Sequence, residues 1–177
     1  MPKPIAKRYD YQSHENRNSR KRDDALSERC VKEAINLFNQ QKHLEAWNKM
    51  AEAVTAGGVN AKLEFGKRAI SLMESTSDSK MMSICKKVFG DAMETKIVPD
   101  LLRDAMQEKQ AIAFHLMGKW HAHFAKDAEQ NARESIECFK KAIELGHYKS
   151  NSDLGYLYIS LGDYKSAIRY LEIEYPE

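Results

Sequence analysis

The chain has 177 residues, of which 42% are hydrophobic and 31% are charged, and these proportions are typical of a globular protein with a substantial core. No apolar run approaches the ~18 residues that a membrane span needs, and the first ten residues carry charges where a signal peptide would be apolar. Three widely spaced cysteines suggest neither a disulfide framework nor a CxxC metal site. We therefore expect a soluble, cytoplasmic protein without a membrane partner.

The net charge of +2 is unevenly distributed, because residues 1–22 are strongly basic. Seven basic and two acidic side chains give this segment +5, which leaves −3 for the rest of the chain. We predict a basic, flexible N-terminal arm over residues 1–26, followed by a helical domain over 27–177. The arm is either a solvated tail or a nucleic-acid-binding segment whose cations neutralise phosphates. In the second case the contributing cations include Lys7, Arg8, Arg20, Lys21 and Arg22.

Beyond the arm, apolar side chains recur at helical spacing, and no segment sustains the alternation of a β-strand. The predicted helices run over residues 27–38, 44–54, 60–73, 79–97, 101–123, 132–145, 152–161 and 164–173. Residues 101–123 form either one long helix or two shorter ones, and Pro99 suits the first turn of a helix at that point. The predicted fold class is all-α, with eight or nine helices in four hairpins.

The chain also matches itself, since residues 44–72 align without a gap on residues 133–161 at an offset of 89. Gly57 falls on Gly146 and Gly66 on Gly155. Repetition at this scale is typical of stacked units that are individually too small to bury their apolar faces. Because Gly118 begins a further unit between Gly66 and Gly155, the offset spans two units of unequal length.

The C-terminal third resembles a tetratricopeptide repeat, in the residues of 154–158 (LGYLY), 162–164 (GDY) and the pair Ala167 and Ile168. The preceding unit, from Gly118 to Gly146, has about five more residues between its helices and resembles the Sel1-like variant. The resemblance covers about residues 27–175. It implies a solenoid of about four helix pairs, with a concave face built from the first helix of each pair.

By the same resemblance, a partner would lie on the first helices, at residues that face away from the second helices. The candidate partner-binding residues are Phe38, Lys67, His115, Lys119, His123 and Tyr156. A groove that is apolar at one end suits an amphipathic helix or an extended apolar segment of another protein. Alternatively, the N-terminal arm or a neighbouring subunit covers the apolar residues near Phe38.

The sequence contains no nucleophile motif, phosphate-binding loop or paired-carboxylate signature, and we predict neither a cofactor nor catalytic residues. His121 and His123 point about 200° apart on a helix, so they do not converge on a metal with His115. The resulting prediction is a non-enzymatic interaction module, acting as an adaptor, chaperone or inhibitor. The alternatives are a nucleic-acid-associated protein and an enzyme with scattered residues around His115, Lys119 and His123.

The last predicted helix retains apolar side chains that a terminal helix of a solenoid would normally replace with polar ones. Tyr170, Leu171 and Ile173 are the apolar residues concerned. The sequence therefore also predicts self-association through the C-terminal helix pair.

Overall fold

A computed structural model of the chain describes residues 23–75, 79–90, 96–124 and 128–172. Within these ranges the regular elements are nine helices and no strands, which confirms the predicted all-α class for the described residues. The helices are α1 (Asp24–Asn39), α2 (His43–Thr55), α3 (Val59–Glu74), α4 (Ser79–Phe89), α5 (Val98–Gln107), α6 (Ala111–Phe124), α7 (Ala128–Glu144), α8 (Ser150–Ser160) and α9 (Tyr164–Leu171). The chain divides into two compact units, residues 1–98 and residues 99–177, called unit 1 and unit 2 below.

The predicted basic arm lies almost entirely outside the described residues. This applies to the five cations of the nucleic-acid hypothesis, Lys7, Arg8, Arg20, Lys21 and Arg22. The first helix begins at Asp24, three residues earlier than the predicted start at Ser27. Asp23 caps it, because its side-chain Oδ1 accepts a hydrogen bond of 2.9 Å from the N–H of Leu26.

Unit 1 is organised around the buried indole of Trp47 on α2. Its ring makes edge-to-face contacts with Phe38, Phe65 and Phe89, at centroid distances of 5.1, 5.8 and 5.8 Å. These rings belong to α1, α3 and α4, so one side chain connects all four helices of the unit. The hairpin predicted from the first two helices is present, whereas α4 packs more extensively on α2 than on α3.

The described residues on either side of Pro99 form three helices, α4, α5 and α6. The helix predicted over 79–97 ends at Phe89, and Gly90 follows it with a positive φ of 82°. Residues 101–123, which allowed one helix or two, contribute to two: α5 ends at Gln107, and a turn with Lys109 at a φ of 53° precedes α6. Pro99 lies in the first turn of α5, as predicted.

Unit 2 contains two tightly packed hairpins, α6 with α7 and α8 with α9. In each, a glycine of the first helix lies against a large side chain of the second. A Cβ added at Gly118 would lie 2.8 Å from the ring of Phe139, and one added at Gly155 would lie 2.5 Å from Cγ of Leu171. The first hairpin is also joined by a buried hydrogen bond of 2.8 Å from Ser135 Oγ to the carbonyl oxygen of Gly118.

The self-match in the sequence corresponds to equivalent local structure. Gly57 and Gly146, which align at the offset of 89, both end a helix with positive φ, at 91° and 92°. Their N–H groups donate to the carbonyls three residues earlier, on Val54 and Ile143. Glycine adopts this left-handed conformation at little cost, so α2 and α7 end in the same way.

The two glycines at the helix crossings differ in how much a substitution should cost. We expect Gly118→Ala to destabilise the protein by about 1–3 kcal/mol, because its Cβ meets the ring of Phe139, which is 2% exposed and cannot move aside. Gly155→Ala should cost less, since Leu171 is 41% exposed and can change rotamer. Urea unfolding of both variants measures the difference. Equal losses, or a larger loss at Gly155, would contradict this account.

Candidate functional site

Unit 2 contains a cluster of polar and titratable side chains that connects α6 to the beginning of α8. The histidine cluster comprises His115 on α6, His147 in the turn after α7, and Ser150 and Asp153 on α8. Ser150 Oγ lies 3.0 Å from Nδ1 of His115 and 2.8 Å from Nδ1 of His147. The two imidazole rings are 4.4 Å apart between centroids, and His115 Nδ1 is 3.7 Å from Asp153 Oδ2.

Local backbone structure explains why these groups meet. The left-handed Gly146 ends α7 and reverses the chain, and the N–H of His147 then donates 2.9 Å to the carbonyl of Ala142. Ser150 opens α8, and its N–H donates 3.0 Å to the carbonyl of His147. The turn therefore holds His147 close to Ser150, and the ring of His115 on α6 contacts both of them.

The Ser150 hydroxyl has one proton and two lone pairs, so it can donate to at most one of the two imidazoles and can accept from one or both. A ring that donates to the hydroxyl carries a proton on Nδ1, whereas a ring that accepts from it is neutral and carries its proton on Nε2. Protonation of an accepting ring requires the hydroxyl to direct its proton elsewhere.

The surroundings keep both rings neutral at neutral pH. Burial lowers the pKa of His115 from 6.5 to about 4, and repulsion from the protonated form of His147 and from Lys119 adds to the effect. Burial also lowers the pKa of His147, although Asp153 acts in the opposite direction. The cluster is therefore an uncharged hydrogen-bonded network at neutral pH and a repulsive pair of cations in acid.

The arrangement is better suited to holding helices together than to catalysis. Ser150 is fully buried, so its hydroxyl does not meet a substrate from solvent, despite its contact with two possible bases. Across the parts of the chain that the structure describes, no three His, Cys, Asp or Glu side chains converge as a metal site. His121 is directed elsewhere, with its Nδ1 2.9 Å from Oε2 of Glu134 on α7.

Four of the predicted partner-binding residues belong to unit 2. His115, Lys119 and His123 are spaced by four residues along α6 and share one side of it. His115 is mostly enclosed in the histidine cluster, Lys119 is half-buried and His123 is exposed. Tyr156 is three residues beyond Asp153 on α8 and is 66% exposed. We call the surface formed by Lys119, His123, Asp153 and Tyr156 the α6–α8 surface.

The other two predicted residues belong to unit 1. Phe38 is half-buried at the edge of the aromatic core, and the guanidinium of Arg68 lies 4.5 Å from its ring centroid. Arg68 is itself held by Glu64, at 2.6 Å between Nε and Oε1. Lys67 is exposed on α3. Phe38 therefore already has packing partners within unit 1, and a role in binding stays a prediction for both residues.

The sequence analysis did not identify His147, Ser150 or Asp153 as candidate site residues. A signal was nevertheless present, because a histidine directly after a helix-ending glycine is held close to the first turn of the next helix. Its neighbour His115 lies 32 residues away in the sequence, and only the packing of α6 on α8 brings the two together.

Exposed apolar side chains are concentrated at the C-terminal end of unit 2. Of the nine large hydrophobic side chains exposed among the described residues, seven lie between residues 148 and 171. They are Tyr148, Tyr156, Ile159, Leu161, Tyr164, Ile168 and Leu171. Contiguous exposed apolar surface on a folded domain is typical of protein-binding sites.

Comparisons with known proteins identify no relative: no family model, curated protein or solved structure matches the chain. Among the helices of the described residues, none has the length and apolar character to cross a membrane. The candidate surfaces therefore rest on the geometry of the chain itself.

Proposed function

We propose that the chain is a non-enzymatic protein-interaction module of the tetratricopeptide or Sel1-like type, which binds a partner protein through the first helices of its hairpins. The observation that carries the proposal is the exposed apolar surface of α8, where Tyr156 is 66% and Ile159 is 41% exposed. An adaptor, chaperone or inhibitor acting in the cytoplasm is the role we infer.

The composition of the α6–α8 surface indicates what kind of segment it suits. Tyr156 offers a large amphipathic side chain with few rotatable bonds, the type that dominates binding energy in many interfaces. Lys119 and His123 on α6 and Asp153 on α8 supply the polar groups of this surface. A partner segment with one apolar anchor beside polar residues would match this arrangement.

The buried histidine cluster supports a binding role rather than a catalytic one. Its titratable groups are used to fix α6 against α8, at 3.0 and 2.8 Å through the Ser150 hydroxyl. A rigid pair of helices presents exposed side chains in a fixed arrangement, which reduces the ordering cost on binding. The cluster would thus stabilise the surface that the partner contacts.

A photo-crosslinking amino acid placed at position 156 of the full-length chain tests the proposal. We expect it to capture a specific protein in an extract of the native cell, and the same residue at position 44 to capture none. Leu44 is a suitable control because it is 49% exposed but belongs to unit 1, on α2.

The captured protein is then purified and its affinity measured against two variants. Tyr156→Asp should weaken binding at least about tenfold, as expected for a central aromatic anchor, whereas Leu44→Asp should leave it unchanged. Equal effects of the two substitutions, or no protein captured at position 156, would refute the proposed surface.

A further inference from the structure

The second helix of the last hairpin has an apolar face that nothing in the described part of the chain covers. Tyr164, Ile168 and Leu171 on α9 are 65%, 54% and 41% exposed. Their spacing of four and then three residues is that of the d, a and d positions of a heptad, so they form one continuous stripe. We call this stripe the α9 face.

The preceding hairpin shows what normally covers such a face. Phe139 on α7 packs against Gly118 of α6, and Leu171 on α9 packs against Gly155 of α8 in the same way. The helices α7 and α9 are therefore equivalent in their hairpins, and Leu171 corresponds to Phe139. Phe139 is only 2% exposed, and α8 packs against α7. The α9 face is therefore the surface against which a further helix would pack.

We propose that this helix is α9 of a second copy of the chain, packed antiparallel about a two-fold axis. The charges beside the stripe support self-pairing. Lys165 and Glu172 occupy the two e positions next to the α9 face, and both are exposed. In an antiparallel pair the e positions of the two helices face each other, so Lys165 of each copy lies opposite Glu172 of the other.

The charges also select the orientation and register. With Ile168 packed against Leu171 of the other copy, both opposite-charge pairs form. If the register shifted by one heptad, the two copies of Lys165 would lie opposite each other. In a parallel pair, the e-position charges would lie opposite uncharged g positions such as Ala167. Of these arrangements, only the first places an opposite charge beside both Lys165 and Glu172 while Ile168 and Leu171 of the two copies pack against each other.

The size of the α9 face determines how strong the association should be. The three side chains expose on the order of 300 Å² in each copy, taking ~200 Å² for a large side chain. A standard stable interface buries about 800 Å² per partner. We therefore expect a reversible dimer that dissociates on dilution, with a dissociation constant that rises with salt.

Sedimentation equilibrium of the full-length chain over a wide concentration range tests the pairing. We expect the mass to rise from monomer to dimer, and Ile168→Glu to weaken the association at least tenfold. The residue is 54% exposed, so the substitution should leave the fold intact, which circular dichroism verifies. Leu44→Glu is the matched control and should dimerise like the parent chain.

Charge reversal distinguishes the proposed geometry from nonspecific apolar association. Lys165→Glu and Glu172→Lys should each weaken the dimer, because each places like charges opposite each other. The double variant should restore the parent dissociation constant. A monomer at every concentration, a dimer insensitive to Ile168→Glu, or a double variant without restoration would each overturn the proposal.

The pairing is separable from the proposed partner binding, because Tyr156 lies on α8 and does not belong to the α9 face. Tyr156→Asp should leave the dimer intact, and Ile168→Glu should leave the crosslink at position 156 intact. Failure of one proposal would therefore not be mistaken for failure of the other.

Discussion

Replacing Trp47 with alanine should destabilise the protein by about 3–5 kcal/mol, the range for deleting a large buried aromatic side chain. The indole is 2% exposed and contacts Phe38, Phe65 and Phe89, so its removal leaves a cavity bordered by all four helices of unit 1. Urea unfolding followed by circular dichroism measures the loss. Trp120 on α6 remains as a fluorescence probe for unit 2.

The matched variant Trp47→Phe distinguishes the contribution of the size of the indole ring from that of its N–H group. Among the described residues, the buried indole Nε1 has no hydrogen-bond acceptor, so removing its N–H should cost nothing in lost hydrogen bonds. We expect a loss of about 1–2 kcal/mol from the smaller ring alone. Should Trp47→Phe prove as damaging as Trp47→Ala, the indole N–H would have an essential partner, and the cavity explanation would be wrong.

The parts of the fold that sequence predicted well are those set by local interactions. Apolar residues three and four apart defined most of the helices, because the stripe that they form must be buried. The glycines at 57 and 146 marked helix ends, because left-handed backbone is cheap only for glycine. Pro99 likewise fell in the first turn of α5, where its missing N–H leaves no hydrogen bond unmade.

The errors arise where packing between distant segments decides the outcome. The helix predicted over 79–97 combined apolar residues on both sides of Gly90 into one stripe, although α4 ends at Phe89. Periodicity alone does not distinguish one long amphipathic helix from two shorter ones that happen to share a phase.

The candidate site shows the same limitation in its side chains. The resemblance assigned Tyr156 to a first helix, facing away from the second; its side chain is exposed on α8, and its role in binding stays a prediction. Phe38 was assigned by the same reasoning, but its ring packs on Trp47 and lies under Arg68. His147 was not identified, because its contacts with His115 and Ser150 depend on a helix crossing that no local pattern encodes.

The histidine cluster should make the protein lose stability in mild acid. Because the pKa of His115 is about 4 in the folded state and 6.5 in its absence, the unfolded chain binds more protons between these values. The stabilisation is fully present above pH 6.5 and is lost as the pH falls toward 4. For His115 alone, the free energy of unfolding should drop by about 2 kcal/mol between pH 7.5 and pH 5.

Neighbouring groups both raise and lower the pKa values of the two histidines, but the net effect lowers both pKa values, so protonation in acid destabilises the folded state. Burial is the largest cause of the low pKa of His115, and repulsion from the protonated form of His147 and from Lys119 reinforces it. Lys149 lowers the pKa of His147, whereas Asp153 raises it. Protonating a ring that accepts from Ser150 would also force the hydroxyl to give up that hydrogen bond.

His115→Gln tests this mechanism, because glutamine can still hydrogen-bond to Ser150 but does not titrate. Urea unfolding at a series of pH values should show that the variant loses about 2 kcal/mol less than the parent chain between pH 7.5 and pH 5. His123→Gln, the same substitution at an exposed position of α6, is the control and should retain the parent slope. The comparison uses slopes, so any loss of stability at neutral pH in the variant does not affect it. Parallel profiles for His115→Gln and the parent would show that the buried imidazole is not the acid-sensitive group, and that other side chains set the response.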